Sequence, residues 1–400
     1  MSQNTAARGE PHSDPRPLPA DQRSLAPDLG RGFMLLIIAT VHAHLFREFT
    51  GAAGFSLDGP VDVGTTAAMA LFGENRGYPM FAALFGYGLA QIYLRRTAEG
   101  REWPWVRRLL RRRGRWLVII GVAHTVLLFY GDVIAVYGLI ALFFTAVLRM
   151  SDRRLLAHAF AWMAVGSLLY SLANTALFAA GTQGAAADIT WLSDLLTRIA
   201  VLPFFLPLMI VISVFPFLIG VWAARRRLLE EPLRHLPLLR RAAAGGIGAG
   251  VAGGVPQALI NIEVWEAAPA AEAAVFWLHL LTGYAGGFGY AALIALVAVR
   301  LDRRRSGRRG PVVTALAATG QRSMTCYLLQ SVAWAALVPP YALGIGSELS
   351  DAQAVALGAA VWLATVVLAE AMRRAGFRQG PAEWVLRRMT YGRPPAVASG

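Results

Sequence analysis

The chain has 400 residues, of which 56% are hydrophobic and only 16% charged, and its formal net charge is +14. Soluble domains carry about 25% charged residues, so the composition excludes a disordered chain and disfavours a soluble enzyme. All 38 basic residues are arginine, and the absence of lysine removes P-loop, Schiff-base and pyridoxal-type chemistry. The single cysteine, Cys326, excludes an intramolecular disulfide and a paired-cysteine metal site.

Residues 1–29 are rich in Pro, Asp, Ser and Arg without apolar periodicity. They read as a disordered tail, too long and too polar for the start of a cleaved signal peptide. A single transmembrane domain is expected over 30–392, followed by a short C-terminal tail at 393–400. A bilayer needs roughly 20 apolar residues per helical crossing. Ten segments answer that description, some only by borrowing a flank: 32–47, 77–94, 116–130, 133–148, 155–180, 199–224, 242–262, 273–299, 323–340 and 352–372. The expected fold is all-α, a polytopic helix bundle of about ten spans.

The arginines test that count. With the N-terminus in the cytoplasm, 34 of the 38 fall on inner segments; only Arg47, Arg76 and Arg198 are outer, and Arg322 lies at or inside a span. This is the positive-inside pattern, and it predicts a multi-pass membrane protein with both termini in the cytoplasm. It argues against nucleic acid as a partner, because the arginines alternate with apolar runs instead of lining one basic face. The partner expected from the hydropathy is the lipid bilayer, and a homo-oligomer is compatible with such a bundle. Residues 63–73 are too short to span and read as an outer interfacial or re-entrant helix. Residues 311–321 read as lying along the cytoplasmic face, since burying Arg322 at mid-bilayer costs at least ~2.5–3.5 kcal/mol. Gly246, Gly250 and Gly254 form a small-residue row suited to close helix packing.

Ionisable and polar groups inside the spans are the functional candidates. Arg31 stands at the cytoplasmic mouth of the first span, and His42 is 11 residues on, or ~16 Å deeper. A neutral imidazole there serves as a general base, while an arginine at the mouth binds phosphate or carboxylate. The competing reading is a packed histidine bonded to a neighbouring helix. His124 lies ~12 Å into the third span, just before the Gly131-Asp132 turn, where Asp132 is either a substrate contact or a solvated loop residue. In the ninth span Arg322 is followed by Tyr327, Gln330 and Ser331. This repeats the design of an arginine at the mouth and a polar group halfway in, although an ordinary interhelical contact worth ~0.6 kcal/mol explains it equally well. Asn174 and His279 are weaker candidates of the same kind. No metal site is expected.

At these residues the chain resembles the DUF418 (YeiB-like) family of bacterial membrane proteins. The resemblance rests on Asp28, Arg31, Gly32 and Phe33 entering the first span, Met80 to Gly88, Gly121 to His124 with Gly131-Asp132, Tyr327 to Ser331, and Gly380, Glu383 and Trp384 through Tyr391. The family is similar in architecture to the membrane acyltransferases of the acyltransferase-3 and heparan acetyltransferase groups. The Arg31 to His42 spacing matches the arginine and histidine of acyltransferase-3 proteins, where many DUF418 members carry Asn at the second position. A departure is Gly77-Tyr78 in place of the usual Phe-Arg, which leaves that arginine's role to Arg76 or to none. The resemblance implies an integral membrane acyltransferase of the bacterial plasma (inner) membrane with acyl-CoA as donor. Arg31 and Arg322 would bind the donor phosphates, and His42 and His124 would be catalytic. Gln330, Ser331, Asp132 and Tyr327 would contact a small-molecule, glycan or lipid acceptor. The rival expectation is a transporter or exporter of a small metabolite, built from the same buried polar groups.

Overall fold

The computed structural model describes residues 25–49, 57–181, 189–304 and 309–392; residues 1–24 of the tail predicted over 1–29, and the predicted tail at 393–400, lie outside the described residues. In chain order the helices are α1 (Leu25–Phe49), α2 (Pro60–Ala68) running into a π-helical turn (Met69–Gly73), α3 (Gly77–Ala98), α4 (Trp103–Leu127) and α5 (Ile134–Phe143) with a 3-10 turn (Thr145–Arg149). They continue as α6 (Asp152–Gly181), α7 (Trp191–Arg225), α8 (Leu236–Asn261), α9 (Pro269–Arg304), α10 (Pro311–Gln321), α11 (Ser323–Leu337), α12 (Asp351–Arg374) and α13 (Pro381–Tyr391). Among the described residues there is no strand.

The starts are written in the sequence. Proline occupies the first turn of α2, α4, α8, α10 and α13, where its missing N–H has no intrahelical partner to lose. Capping boxes built on Thr190 and Ser350 start α7 and α12. Six segments, within α1, α6, α7, α8 with its preceding turn, α9 and α12, are long and apolar enough to cross a membrane. Their outward faces carry Leu169 and Leu172 on α6, Phe204 on α7 and Val367 on α12, all exposed. Large apolar surfaces of this kind call for a lipid or protein partner, so the fold has the make-up of a membrane-embedded chain.

Two boundaries depart from the sequence reading, and a third follows it. Helix α1 begins at Leu25, inside the expected tail, because Pro27 and Asp28 are at home in a first turn. Helix α4 reaches back to Trp103 through the arginine cluster; hydropathy excludes those arginines, yet arginine is a strong helix former. The chain breaks between α10 and α11 at Arg322 (φ −116°, ψ 27°), so 311–321 is a separate short helix, as the charge implied.

Small residues set the helix spacing. A Cβ on Gly86 would lie 2.2 Å from the Phe217 carbonyl oxygen, and one on Gly220 would lie 1.9 Å from that of Ala83, so α3 and α7 meet backbone to backbone. The expected glycine row works in part as predicted, with Gly246 against Ala285 and Gly250 against Gly286 on α9. The third member, Gly254, instead faces Ala70 of the π turn and the Arg76 guanidinium.

Candidate active site

Most arginines gather at one end of the bundle, where α3 passes into α4, α7 into α8 and α12 into α13. The opposite, arginine-poor end holds a cavity of about 710 Å³, within the range of about 300–1,000 Å³ usual for small-molecule sites. Its lining begins at exposed Pro269 and Glu272 and reaches Ile37, Phe81 and Ile212 inside the bundle. Helix α1 supplies Ile37, Ile38, Val41, His42 and Leu45 to this wall, one stripe at helical spacing. His42 therefore faces the cavity. Its ring centroid lies 4.6 Å from Phe129 and 5.9 Å from Tyr327.

Behind Tyr327 stands His124, with ring centroids 5.2 Å apart. Helix α4 ends where the His124 carbonyl accepts from both Leu128 N (2.8 Å) and Phe129 N (3.1 Å). The chain then doubles back through Gly131 and Asp132 into α5. This return brings the Asp132 carboxylate to 2.8 Å from His124 Nδ1, while its other oxygen accepts from Ala135 N at 2.6 Å. Both residues are buried, His124 at 3% and Asp132 at 0% exposure. A carboxylate accepts here, so in the neutral ring the proton sits on Nδ1 and Nε2 is the lone-pair nitrogen. That Nε2 is buried and has no hydrogen-bond partner. Gly121 permits the arrangement, since a Cβ there would lie 2.1 Å from Ala135 N and 2.5 Å from Asp132 Oδ2.

The remaining predicted residues divide. Gln330 is buried on α11, its Nε2 donating a long bond (3.4 Å) to the Leu35 carbonyl and its Oε1 without a partner. Ser331 is fully buried and donates to the Tyr327 carbonyl within its own helix. Arg31 lies 3.9 Å from Asp28 with its side chain about a third exposed, over the gap left by Gly88. Arg322 is 1% exposed and donates to the carbonyls of Ala318 (3.0 Å) and Phe377. Neither arginine lines the cavity, so among the predicted set the structure gathers His42, Tyr327, His124 and Asp132 in one place. Asn174 lines the cavity too, and His279 is buried with Nε2 3.7 Å from Glu74. Among the described residues no three His, Cys, Asp or Glu side chains converge as metal ligands would.

Sequence reasoning passed over the carboxylates around the cavity. Asp351, in the first turn of α12, accepts from Arg47, from His44 Nδ1 at 3.1 Å and from Thr66 Oγ1 at 3.0 Å. Asp62 accepts from Ala352 N at 2.9 Å. These bonds tie α1 and α2 to the start of α12 beside the cavity. Glu74, Glu272 and the Gln257–Asn261 pair (2.8 Å) also line it. The available signal was the Glu74-Asn75 interruption between two apolar runs, where Asn75 adopts φ +56°, a region that Asn tolerates better than most residues.

The DUF418 family, described as proteins of unknown function, matches residues 223–393. The uncharacterized protein YxaH of Bacillus subtilis (strain 168) is 24% identical across 91% of this chain and 93% of its own length. The uncharacterized protein YeiB of Escherichia coli (strain K12) is 26% identical across 92% of this chain and 96% of its own. These matches support the DUF418 assignment. No solved structure matches the chain.

Proposed function

We propose that the chain is a multi-pass acyltransferase of the bacterial plasma membrane that takes an acyl group from cytoplasmic acyl-CoA and places it on a hydroxyl- or amine-bearing acceptor held in the cavity. The observation that carries this reading is His42 on the cavity wall with the buried Asp132–His124 pair behind Tyr327. His42 removes the acceptor proton as the nucleophile attacks the thioester carbonyl; the C–S bond breaks and the thiol leaves with that proton. Asp132 and His124 hold an oriented, proton-accepting imidazole in a site where burial strengthens every polar interaction. Arg31, at the arginine-rich end, meets the donor phosphates, whereas the Arg322 bonds to two carbonyls suit it to tying α10 to the turn that follows α12.

The topology proposed has ten crossings with both termini cytoplasmic. It adds α3, α4, α5 with its 3-10 extension and α11 to the six long helices and leaves α2, α10 and α13 at the membrane surfaces. The arginine asymmetry supports it. In this orientation the cavity opens outward, so donor and acceptor enter from opposite sides.

The test is acyl transfer by the purified, reconstituted protein supplied with labelled acetyl-CoA, with His42→Ala and His124→Ala alongside. The reading fails if the protein neither binds nor hydrolyses acyl-CoA and His42→Ala leaves cellular acylation of glycans and lipids unchanged. Movement of a solute into proteoliposomes without consumption of thioester would identify a transporter instead.

A further inference from the structure

At the arginine-rich end, carboxylates are shared out in pairs. Glu99 bonds Arg95 and Arg96, Asp152 bonds Arg225 and Arg226, Glu231 bonds Arg227 and Arg234, and Glu370 bonds Arg373 and Arg374. Each of these four acids faces two cations and has little capacity left to neutralise a third.

Four arginines outside this scheme share one place. Arg108, Arg111, Arg112 and Arg115 follow at i, i+3, i+4 and i+7 on α4, which puts them on one helical face. They line a cleft of about 670 Å³ whose other walls include Trp105 and Tyr391. All four are exposed, and none pairs with a carboxylate among the described residues. Like charges at this spacing repel and destabilise a bare helix. Their guanidiniums span ~10 Å along the axis, too far for one phosphate to meet them all. Guanidiniums bind phosphate through paired, parallel hydrogen bonds, and the two aromatic walls suit both an interfacial position and stacking against arginine.

We propose that this cleft binds an anion carrying two or more phosphate groups. It shares no lining residue with the large cavity and does not rest on the acyl-transfer reading. The chemistry has two sources, the headgroup of a diphosphate lipid or a soluble diphosphate, and the probes below separate them.

The experiment titrates the purified full-length protein in neutral detergent at low salt with a short-chain cardiolipin analogue, inorganic pyrophosphate, short-chain phosphatidylglycerol and short-chain phosphatidylcholine, by calorimetry. A cleft variant with Arg108, Arg111, Arg112 and Arg115 replaced by Gln is compared with a control in which exposed Arg153, Arg154, Arg240 and Arg241 are replaced by Gln. All eight positions are exposed, so both variants should fold, and both lose the same charge. Expected is saturable binding of the cardiolipin analogue, pyrophosphate or both, tighter than phosphatidylglycerol and absent for phosphatidylcholine. It should weaken roughly tenfold or more in the cleft variant, hold in the control and fade as salt rises. Preference for the cardiolipin analogue over pyrophosphate marks a lipid headgroup, and the reverse marks a soluble ligand. The proposal is overturned if neither diphosphate binds, if the cleft variant binds like the wild type, or if the control weakens equally.

Discussion

Replacing Asp132 by Ala tests whether its contact with His124 is a working pair or an incidental one. The substitution leaves two buried donors, His124 Nδ1–H and the Ala135 amide, without the acceptor that stands 2.8 and 2.6 Å away. Hydrogen bonds to a charged group contribute about 1.5–3 kcal/mol each, so the two together account for about 3–6 kcal/mol. Leaving a buried donor unsatisfied costs about 1–3 kcal/mol each, about 2–6 for the pair, and the two routes agree near 3–6. An ordinary polar contact between membrane helices averages only about 0.6 kcal/mol. Unfolding of the purified protein by increasing SDS in mixed micelles separates these magnitudes. A His124→Ala, Asp132→Ala double-mutant cycle then isolates the coupling.

Asp132→Asn asks the chemical question while keeping the shape. Its carbonyl can still accept from Ala135, but its NH₂ then faces His124 Nδ1 and favours the tautomer with the proton on Nε2. Transfer should fall by about 10⁴, the loss measured when a buried Asp–His pair elsewhere was given the wrong tautomer. Nitrogen-15 NMR of labelled histidine should show the switch. A cost for Asp132→Ala near 0.6 kcal/mol, with an unchanged His124 tautomer in the Asn variant, would refute the argument.

Gly220→Ala should destabilise by about 1–3 kcal/mol, because its Cβ would fall 1.9 Å from the Ala83 carbonyl oxygen. Gly245→Ala, with nothing within 4 Å, should be neutral or stabilise by about 0.4–1 kcal/mol in the same assay. Glu383 accepts from Met324 N (2.7 Å) and Thr325 N (3.1 Å) at the start of α11; Glu383→Ala should cost about 1–2 kcal/mol and leave Glu383→Gln closer to wild type. Glu230, in the turn after α7, takes hydrogen bonds from Tyr87 and Gln91, and burial, reinforced by Glu231, pushes its carboxyl up to about 7. The folded protein therefore holds this proton where the unfolded chain, at about 4.3, has lost it. Stability contributed here should fall as pH rises from about 4.3 to 7 and then level; the difference between wild type and Glu230→Gln across that window reads it, and a pH-independent difference would reject it.

The helical class and the long apolar elements were legible because hydropathy and the proline and capping signals are local. The break at Arg322 was legible for the same reason, since a cation marks where an apolar run cannot continue through lipid. The site was legible only as separate parts. His124 and Asp132 were singled out individually, yet their contact depends on α4 ending after Leu127 and the chain reversing tightly, a tertiary event without periodicity. The charge network of His44, Arg47, Asp62, Thr66 and Asp351 was missed because it joins residues about three hundred positions apart. The fate of Arg322 was hidden likewise, for nothing in its neighbours announces that the Phe377 carbonyl will meet it.

The arginines the topology leaves over now have a physical account that narrows the chemistry. Arg47, Arg76, Arg198 and Arg322 are each at most 5% exposed. Arg47 is bonded to Asp351, Arg76 to the Glu74 and Gly250 carbonyls, Arg198 to Asp194 of its own helix (2.7 Å) and to the Val126 carbonyl of α4 (3.3 Å), and Arg322 to two carbonyls. A buried cation without such partners would cost several kcal/mol, so these four are engaged in joining helices. Among side chains without fixed charge, the buried atoms that lack a hydrogen-bond partner include His124 Nε2, Gln257 Oε1 and Gln330 Oε1. Native folds leave few such atoms, and each asks for an explanation. Here two of the three sit on the helices that carry His124 and Tyr327, and the third lines the cavity itself. Taking a proton from a bound hydroxyl or amine needs a neutral imidazole with a free lone pair, the role proposed for His42 and one that none of the buried arginines can fill.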